Sequence, residues 1–172
     1  VLFDNNYELL HDRIDIKAVS QITEKEYCVG GTTALLDAIG RTIQKIGNAQ
    51  KHTSDDYRAE KVMFIIITDG EENASREYSA EKIRAKIECQ KTTYGWEFIF
   101  LGANIDAVET ASRFGISANR AQNYHADSEG VELNFRVMSE AVATFRACPA
   151  MPEGWNEEIQ KDYKTRSEGN EL

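Results

Sequence analysis

The sequence predicts an α/β fold: a doubly wound, mostly parallel sheet with helices on both faces. Three observations carry this expectation. First, Val62-Met63-Phe64-Ile65-Ile66-Ile67-Thr68 contains no charge and no turn former, and Asp69-Gly70 ends it abruptly. An apolar run of that kind reads as a strand buried on both faces, as in the middle of a parallel sheet. Second, strand-like and helix-like segments alternate from residue 62 onward, which calls for parallel strands joined by right-handed helical crossovers. Third, the buried strand ends on a carboxylate, and open α/β sheets bind their ligands at that carboxyl edge.

The elements follow in order. Val1 to Asp4 is a short apolar run broken by Asn5-Asn6, a strand entering a turn. Leu9 to Val19 alternates loosely through Leu10, Ile14, Ile16 and Val19 and reads as a second, partly exposed strand, near enough to the first to form an antiparallel hairpin at one edge. Gly30-Gly31 breaks the chain. Leu35, Ile39, Ile43 and Ile46 then recur at helical spacing, which predicts an amphipathic helix over 34–46 with Thr32 or Thr33 as its cap. Residues 47–60 form a polar loop before the strand at 62–68. Ser79 precedes a helix with Ala80, Ile83 and Ile87 inward, closed by Gly95. Trp96 to Leu101 is the next strand. Asp106 starts a short helix with Val108, Ala111 and Phe114 inward, closed by Gly115, and Gln122 to Ala126 is a final edge strand. Asp127 or Ser128 caps a long helix in which Val131, Phe135, Met138, Val142 and Phe145 step by four and three. These elements make one domain over 1–148. Residues 149–172 are a polar tail holding both prolines, expected to be loosely attached unless Trp155, Ile159 and Tyr163 dock it as one short helix.

Composition narrows the function classes. With 172 residues, 41% of them hydrophobic and 28% charged, the chain suits one soluble domain with a full core. A net charge of −9 argues against a nucleic-acid backbone as the main partner, because the phosphate field would repel it. The most basic stretch, Lys82 to Lys91, is interleaved with Glu81 and Glu88 and reads as a solvated helix face. No apolar run approaches the roughly 18 residues of a membrane span. Cys28, Cys89 and Cys148 are odd in number, and their spacing matches no metal or redox motif. They read as reduced packing residues in a cytoplasmic protein, with a lean toward a bacterial or phage source.

Two features converge on one chemistry. Asp69 lies just past its buried strand, and Gly30-Gly31-Thr32-Thr33 is a glycine-rich turn opening a helix. A carboxylate and a hydroxyl suit a hard divalent cation, whereas a helix amino terminus prefers an anion. Spacing alone leaves three readings open: a metal site, an anion site, or a capped helix beside a solvated aspartate. The other reactive side chains offer less. His11, His52 and His125 are scattered, Ser112 and Ser117 lack a nearby His–Asp arrangement, and Glu71-Glu72 reads as an acidic loop that is solvated, faces a partner or supports a site ligand from behind.

Phe64 to Gly70, followed by Glu71-Glu72-Asn73, resembles the fourth strand of a von Willebrand factor type A domain. Gly30 to Ile39 resembles that family's threonine loop and the helix after it. Val1-Leu2-Phe3-Asp4 with the following hairpin resembles its second and third strands, and Trp96 to Asn104 its fifth. The resemblance covers residues 1–146. It implies a Rossmann-like doubly wound sheet and a metal ion-dependent adhesion site holding Mg²⁺, built from an Asp-x-Ser-x-Ser loop, a threonine and an aspartate. By motif, Asp69 matches the aspartate and Thr33 the threonine, with Thr32 as the alternative. No Asp-x-Ser-x-Ser occurs in the chain, and residues 5–32 are too few to make Asp4 its start. The expectation is therefore an amino-terminally truncated domain without the first strand and its metal loop.

The resemblance implies a protein-interaction module, not an enzyme. In such a site a partner's acidic side chain completes the coordination of the metal. Mg²⁺ is expected to bind this chain weakly or not at all. The alternatives are a structural domain that has lost metal binding and, further off, a metal-assisted hydrolase with Asp69 as principal ligand. Absence of the central strand would leave bare strand edges at 1–4 and 62–68, through which the chain could form a homo-oligomer.

Overall fold

The computed structural model describes residues 1–23, 25, 26 and 30–169. The apolar run forms β3 of the chain, Met63–Thr68. It pairs in parallel with β4, Glu97–Gly102, and β4 pairs in parallel with β5, Ala121–Asn123, in the order β3-β4-β5. Ahead of them, β1 (Leu2–Phe3) and β2 (Tyr7–Glu8) form a separate antiparallel pair. Five α-helices complete the fold: α1 Leu35–Lys51, α2 Ala80–Tyr94, α3 Ala107–Arg113, α4 Ser128–Ala147 and α5 Glu157–Gly169. The protein is thus α/β, with helices linking successive parallel strands.

Alternation along the strands sends side chains to two separate cores. Phe64, Ile66, Phe98 and Phe100 join Leu35, Ile39 and Ile43 of α1, Ile83 and Ile87 of α2, and Ala107 and Ala111 of α3. Ile65, Ile67, Ile99 and Leu101 join Val137, Met138, Ala141 and Phe145 of α4 with Trp155 and Ile159. β4 is the middle strand, and Phe98 to Leu101 are at most 1% exposed. Its aromatic side packs in order: the Phe64 ring stacks 5.5 Å from Trp96 and 5.2 Å from Phe98.

Local chemistry sets the helix ends. Asp106 and Asp127 each cap a helix, accepting from Glu109 N (2.8 Å) and Gly130 N (2.9 Å). Gly95 closes α2 in the left-handed conformation, at φ 66°. α1 departs from this scheme. Neither Thr32 nor Thr33 caps it. Ala34 holds the cap position without a side-chain bond, and the first turn is satisfied from elsewhere: Leu36 N donates to Glu72 Oε2 (2.9 Å) and Asp37 N to Ser75 Oγ (3.0 Å). The same helix runs on to Lys51, beyond the expected end at 46, because nothing in 47–51 breaks it except Gly47, which costs only about 1 kcal/mol.

Four other expectations are corrected. Residues 9–19 are not a strand; Tyr7–Glu8 supplies the return of the hairpin, and the following chain makes only a short 3-10 turn, Ile16–Ala18. Loose alternation across 9–19 lacked a neighbouring edge to pair with. Val108, Val131 and Phe135 point outward, at 40%, 39% and 60% exposure, while Ala107, Gly130 and Asn134 take the inward positions. Cys89 and Cys148 are exposed instead of packed; Cys28 lies outside the described residues. The tail is not loose: Met151, Trp155 and Ile159 are buried, and α5 packs on α4 and β5. Among the described residues, no helix is long and apolar enough to cross a membrane.

Candidate functional site

Three loops meet at the carboxyl edge of the sheet. The first follows β1. Asp4 accepts through its backbone oxygen from Ala34 N at 2.8 Å, and its carboxylate takes the backbone N–H of Asn6 at 2.5 Å. The second is the glycine-rich turn. Gly31 has φ 81°, and a Cβ there would sit 2.5 Å from Asn5 Oδ1 and 2.9 Å from Asp4 Oδ2. Only glycine satisfies both the backbone and the space. The third is the loop after β3, residues 69–79.

Thr33 ties the second loop to the third. Its N–H donates to Asn73 Oδ1 at 2.8 Å, and its carbonyl accepts from Asn73 N at 3.0 Å. Its hydroxyl oxygen lies 3.8 Å from where a Cβ on Gly70 would stand. The structure therefore brings Thr33 beside Gly70, the residue that follows Asp69. Asp69 receives a short hydrogen bond from the Asn104 side-chain amide, at the loop after β4. Asn104 holds φ 57°, a left-handed conformation that Asn tolerates better than most residues.

Below this edge lies a buried carboxylate. Asp37 is only 8% exposed. Its Oδ2 accepts from Arg76 N (2.9 Å) and its Oδ1 from Glu77 N and Tyr78 N (2.9 Å each). Burial by itself pushes the Asp37 carboxyl up, but the three backbone donors, helped by the Arg41 charge, outweigh it and hold the group below its ordinary value. Glu72 is also held by donors, accepting from Ala74 N (2.9 Å), Ser75 N (2.7 Å) and Ser75 Oγ (2.7 Å) while its Oε2 takes the Leu36 N–H in the first turn of α1. The acidic loop expected to be solvated is a clamp that fixes α1 against the end of β3. Ring packing reinforces it, because a Cβ on Gly40 would stand 2.6 Å from the Tyr78 ring.

Asp37, Asn73 and Asn104 are the residues that sequence reading missed, and Glu72 the one whose role it misread. Asp37 did carry a signal, since it interrupts the apolar run Ala34-Leu35-Leu36 and Ala38-Ile39 on the inner face of a helix. The histidines hold no common site. His52 Nδ1 lies 2.7 Å from Asn48 O, and His125 stacks on Tyr163 at 4.8 Å. Among the described residues no three His, Cys, Asp or Glu side chains are grouped to hold a metal ion. Oxygen donors at the edge include the Asp69 carboxylate, the Thr33 hydroxyl and the carboxamides of Asn73 and Asn104, with Asp4 and Asn5 in the loop after β1. Hard oxygen donors of that kind suit Mg²⁺, an ion that keeps several waters and is commonly held by one or two carboxylates.

No helix or strand at this edge is unusual in itself; the meeting of the loops is what could bind. The chain matches no protein-family model, no curated protein and no solved structure.

Proposed function

We propose that the chain is a protein-interaction module of the von Willebrand factor A type, doubly wound, with an adhesion-type metal site at the carboxyl edge of its sheet. The observation that supports this most directly is the position of the Thr33 hydroxyl beside Gly70, with Asp69 next to it at the end of β3. Asp69 and Thr33 would hold Mg²⁺ with water in the remaining positions, and the acidic side chain of a protein partner would displace one water. The metal would supply a fixed positive charge at an edge where the chain itself offers a carboxylate. The work of this chain is to aim the two donors: Asn104 orients the Asp69 carboxylate, and Asn73 fixes the backbone of Thr33 on both sides.

Calorimetric titration of the purified chain with MgCl₂ tests the reading. Weak binding is expected, lost in Asp69→Ala and reduced in Thr33→Val. Tight stoichiometric binding that survives Asp69→Ala would place the ion elsewhere. A second reading is favoured by the Asn104–Asp69 bond itself, which already occupies one carboxylate oxygen. On that reading the edge is a structural staple. It is selected if Mg²⁺ does not bind and Asp69→Ala lowers the melting temperature without metal.

A further inference from the structure

The two helices over the first core meet at one end and part at the other. α1 and α2 both run from the carboxyl edge of the sheet to its amino edge: the first turn of α1 is bonded to the loop after β3, and α2 ends where β4 begins. Near the start of α2 the Tyr78 ring lies against α1, where a Cβ on Gly40 would stand 2.6 Å away. Two turns further along α1, nothing stands within 4 Å of a Cβ position on Gly47. A cleft of about 650 Å³ opens there, with Ile43, Val62 and Trp96 as its apolar surface. Small-molecule sites are commonly about 300–1,000 Å³. Val62 and Trp96 immediately precede β3 and β4, so the cleft lies at the end of the sheet away from Asp69 and Thr33.

Two features of the cleft serve no contact within the fold. The first is the Trp96 indole N–H. Trp96 is 5% exposed, and among the described residues nothing accepts from its Nε1. A buried indole N–H usually finds a partner, as that of Trp155 does at Asn119 O (2.9 Å). Among the described residues, the side-chain N and O atoms that are both sealed and unpartnered belong to His11 and Asn134. Nε1 of Trp96 therefore keeps contact with solvent, and the cleft is what Trp96 lines. A donor on a side chain more than nine-tenths buried is thus presented to the cleft without an acceptor. The second feature is Gly47. A glycine inside a helix weakens it, and no neighbour's approach calls for one at this position. Its effect is to leave the cleft open.

The remaining polar groups define what fits. Lys86 Nζ donates to Gln44 Oε1 at 3.1 Å and ties the helices together at the inner end of the cleft. One turn further along stand Asn48 on α1 and Gln90 on α2, and the next turn brings Lys51 and Tyr94, the latter 63% exposed, to the outer end. The segment 55–60 forms a side wall fixed to α1, because Arg58 Nε donates to Gln50 O at 2.9 Å. Arg58 also pairs with Asp55 at 2.9 Å. The other charges lining the cleft are Lys51, Lys86 and Glu60, a cationic balance in a chain of net charge −9. We infer that the cleft binds a small molecule that joins a planar ring with hydrogen-bonding edges to an anionic group, the chemistry of a nucleoside monophosphate. The ring packs on Tyr94 and the apolar floor and offers an acceptor to the Trp96 N–H. Its edge meets the donor–acceptor pairs of Asn48 and Gln90, as carboxamides meet adenine elsewhere, and the phosphate meets Lys51. A purely apolar ligand would leave the Trp96 donor and both carboxamides unmet. The inference does not rest on the metal reading.

The test is NMR on the intact chain in EDTA, which keeps divalent ions from the Asp69 edge. The chain has two tryptophans, so the indole N–H of Trp96 reports the cleft and that of Trp155 serves as the internal control. AMP should shift the Trp96 signal saturably and leave the Trp155 signal in place. Adenosine, which lacks the phosphate, should bind at least tenfold more weakly. Gly47→Leu enters open space on a helix, so it should keep the fold by circular dichroism, raise the melting temperature and weaken AMP binding at least tenfold. Lys51→Glu, at an exposed position, should weaken AMP binding at least tenfold and leave adenosine binding unchanged. Four results would overturn the inference: no shift of the Trp96 signal at millimolar AMP, equal shifts of both indole signals, adenosine binding as tightly as AMP, or AMP binding undiminished in both variants.

Discussion

Two buried polar residues behave in opposite ways. Asp37 is fully partnered, and its three backbone bonds hold the 76–78 segment on α1. Hydrogen bonds to a charged acceptor are each worth about 1.5–3 kcal/mol. Asp37→Ala should therefore lower the unfolding free energy by about 3 kcal/mol or more in urea titration. Because the folded-state carboxyl is held below its unfolded value, its contribution is complete above the unfolded value, near 3.8, and is lost as pH falls through the folded value. The acid limb of the stability–pH curve should accordingly flatten in Asp37→Asn, measured between pH 2 and 5. Asn134 is the reverse case. It is 1% exposed on α4, and neither its Oδ1 nor its Nδ2 has a hydrogen-bond partner among the described residues. An unmet buried amide costs about 1–3 kcal/mol, so Asn134→Leu, which keeps the branched shape and the number of side-chain heavy atoms, should raise the melting temperature. A fall would mean that the amide has a partner in solution.

At the scale of elements, α5 is the one whose role the sequence understated. Trp155 is 8% exposed and donates through Nε1 to Asn119 O at 2.9 Å, while Ile159 is 1% exposed against α4 and β5. Arg166 adds an ion pair to Asp127, the residue that caps α4, and another to Asp162 at 3.2 Å. The tail therefore closes the second core. Trp155→Ala should cost about 3–5 kcal/mol, the usual range for a buried Trp, read by chemical denaturation. Removal of residues 149–172 should expose Ile99 and Leu101 and make the chain bind a hydrophobic dye. The polar composition of 149–172 hid this, since among the described residues of that stretch only Met151, Trp155 and Ile159 are buried.

Across the whole molecule, protection should follow the sheet. β4 is paired on both sides and its residues are the least exposed, so its amides should exchange slowest. The segment 9–23 packs least: Ile14, Ile16, Val19 and Ile22 are each 44–63% exposed. Trypsin at low ratio should cut first after Arg13 or Lys17, with mass spectrometry identifying the product as a core beginning near residue 18. First cleavage within 80–147 instead would show that the two cores do not form one stable unit.

The sequence by itself determined the α/β class, the positions of β3 and β4, and the helix starts at Asp106 and at Asp127 or Ser128. These rest on local information: an unbroken apolar run, helical spacing, and short polar side chains at helix starts. Tertiary structure decided the rest. Which face of α4 turns inward, with Asn134 buried and Phe135 out, depends on its packing against the sheet and the 151–159 segment and not on the helix's own pattern. Glu72 and Asp37 cap and clamp across 36 to 41 residues of sequence, a reach that no periodicity records. The hairpin at 1–8 forms its own two-stranded sheet, apart from β3-β4-β5, because a strand pairs only with an edge that is brought to it.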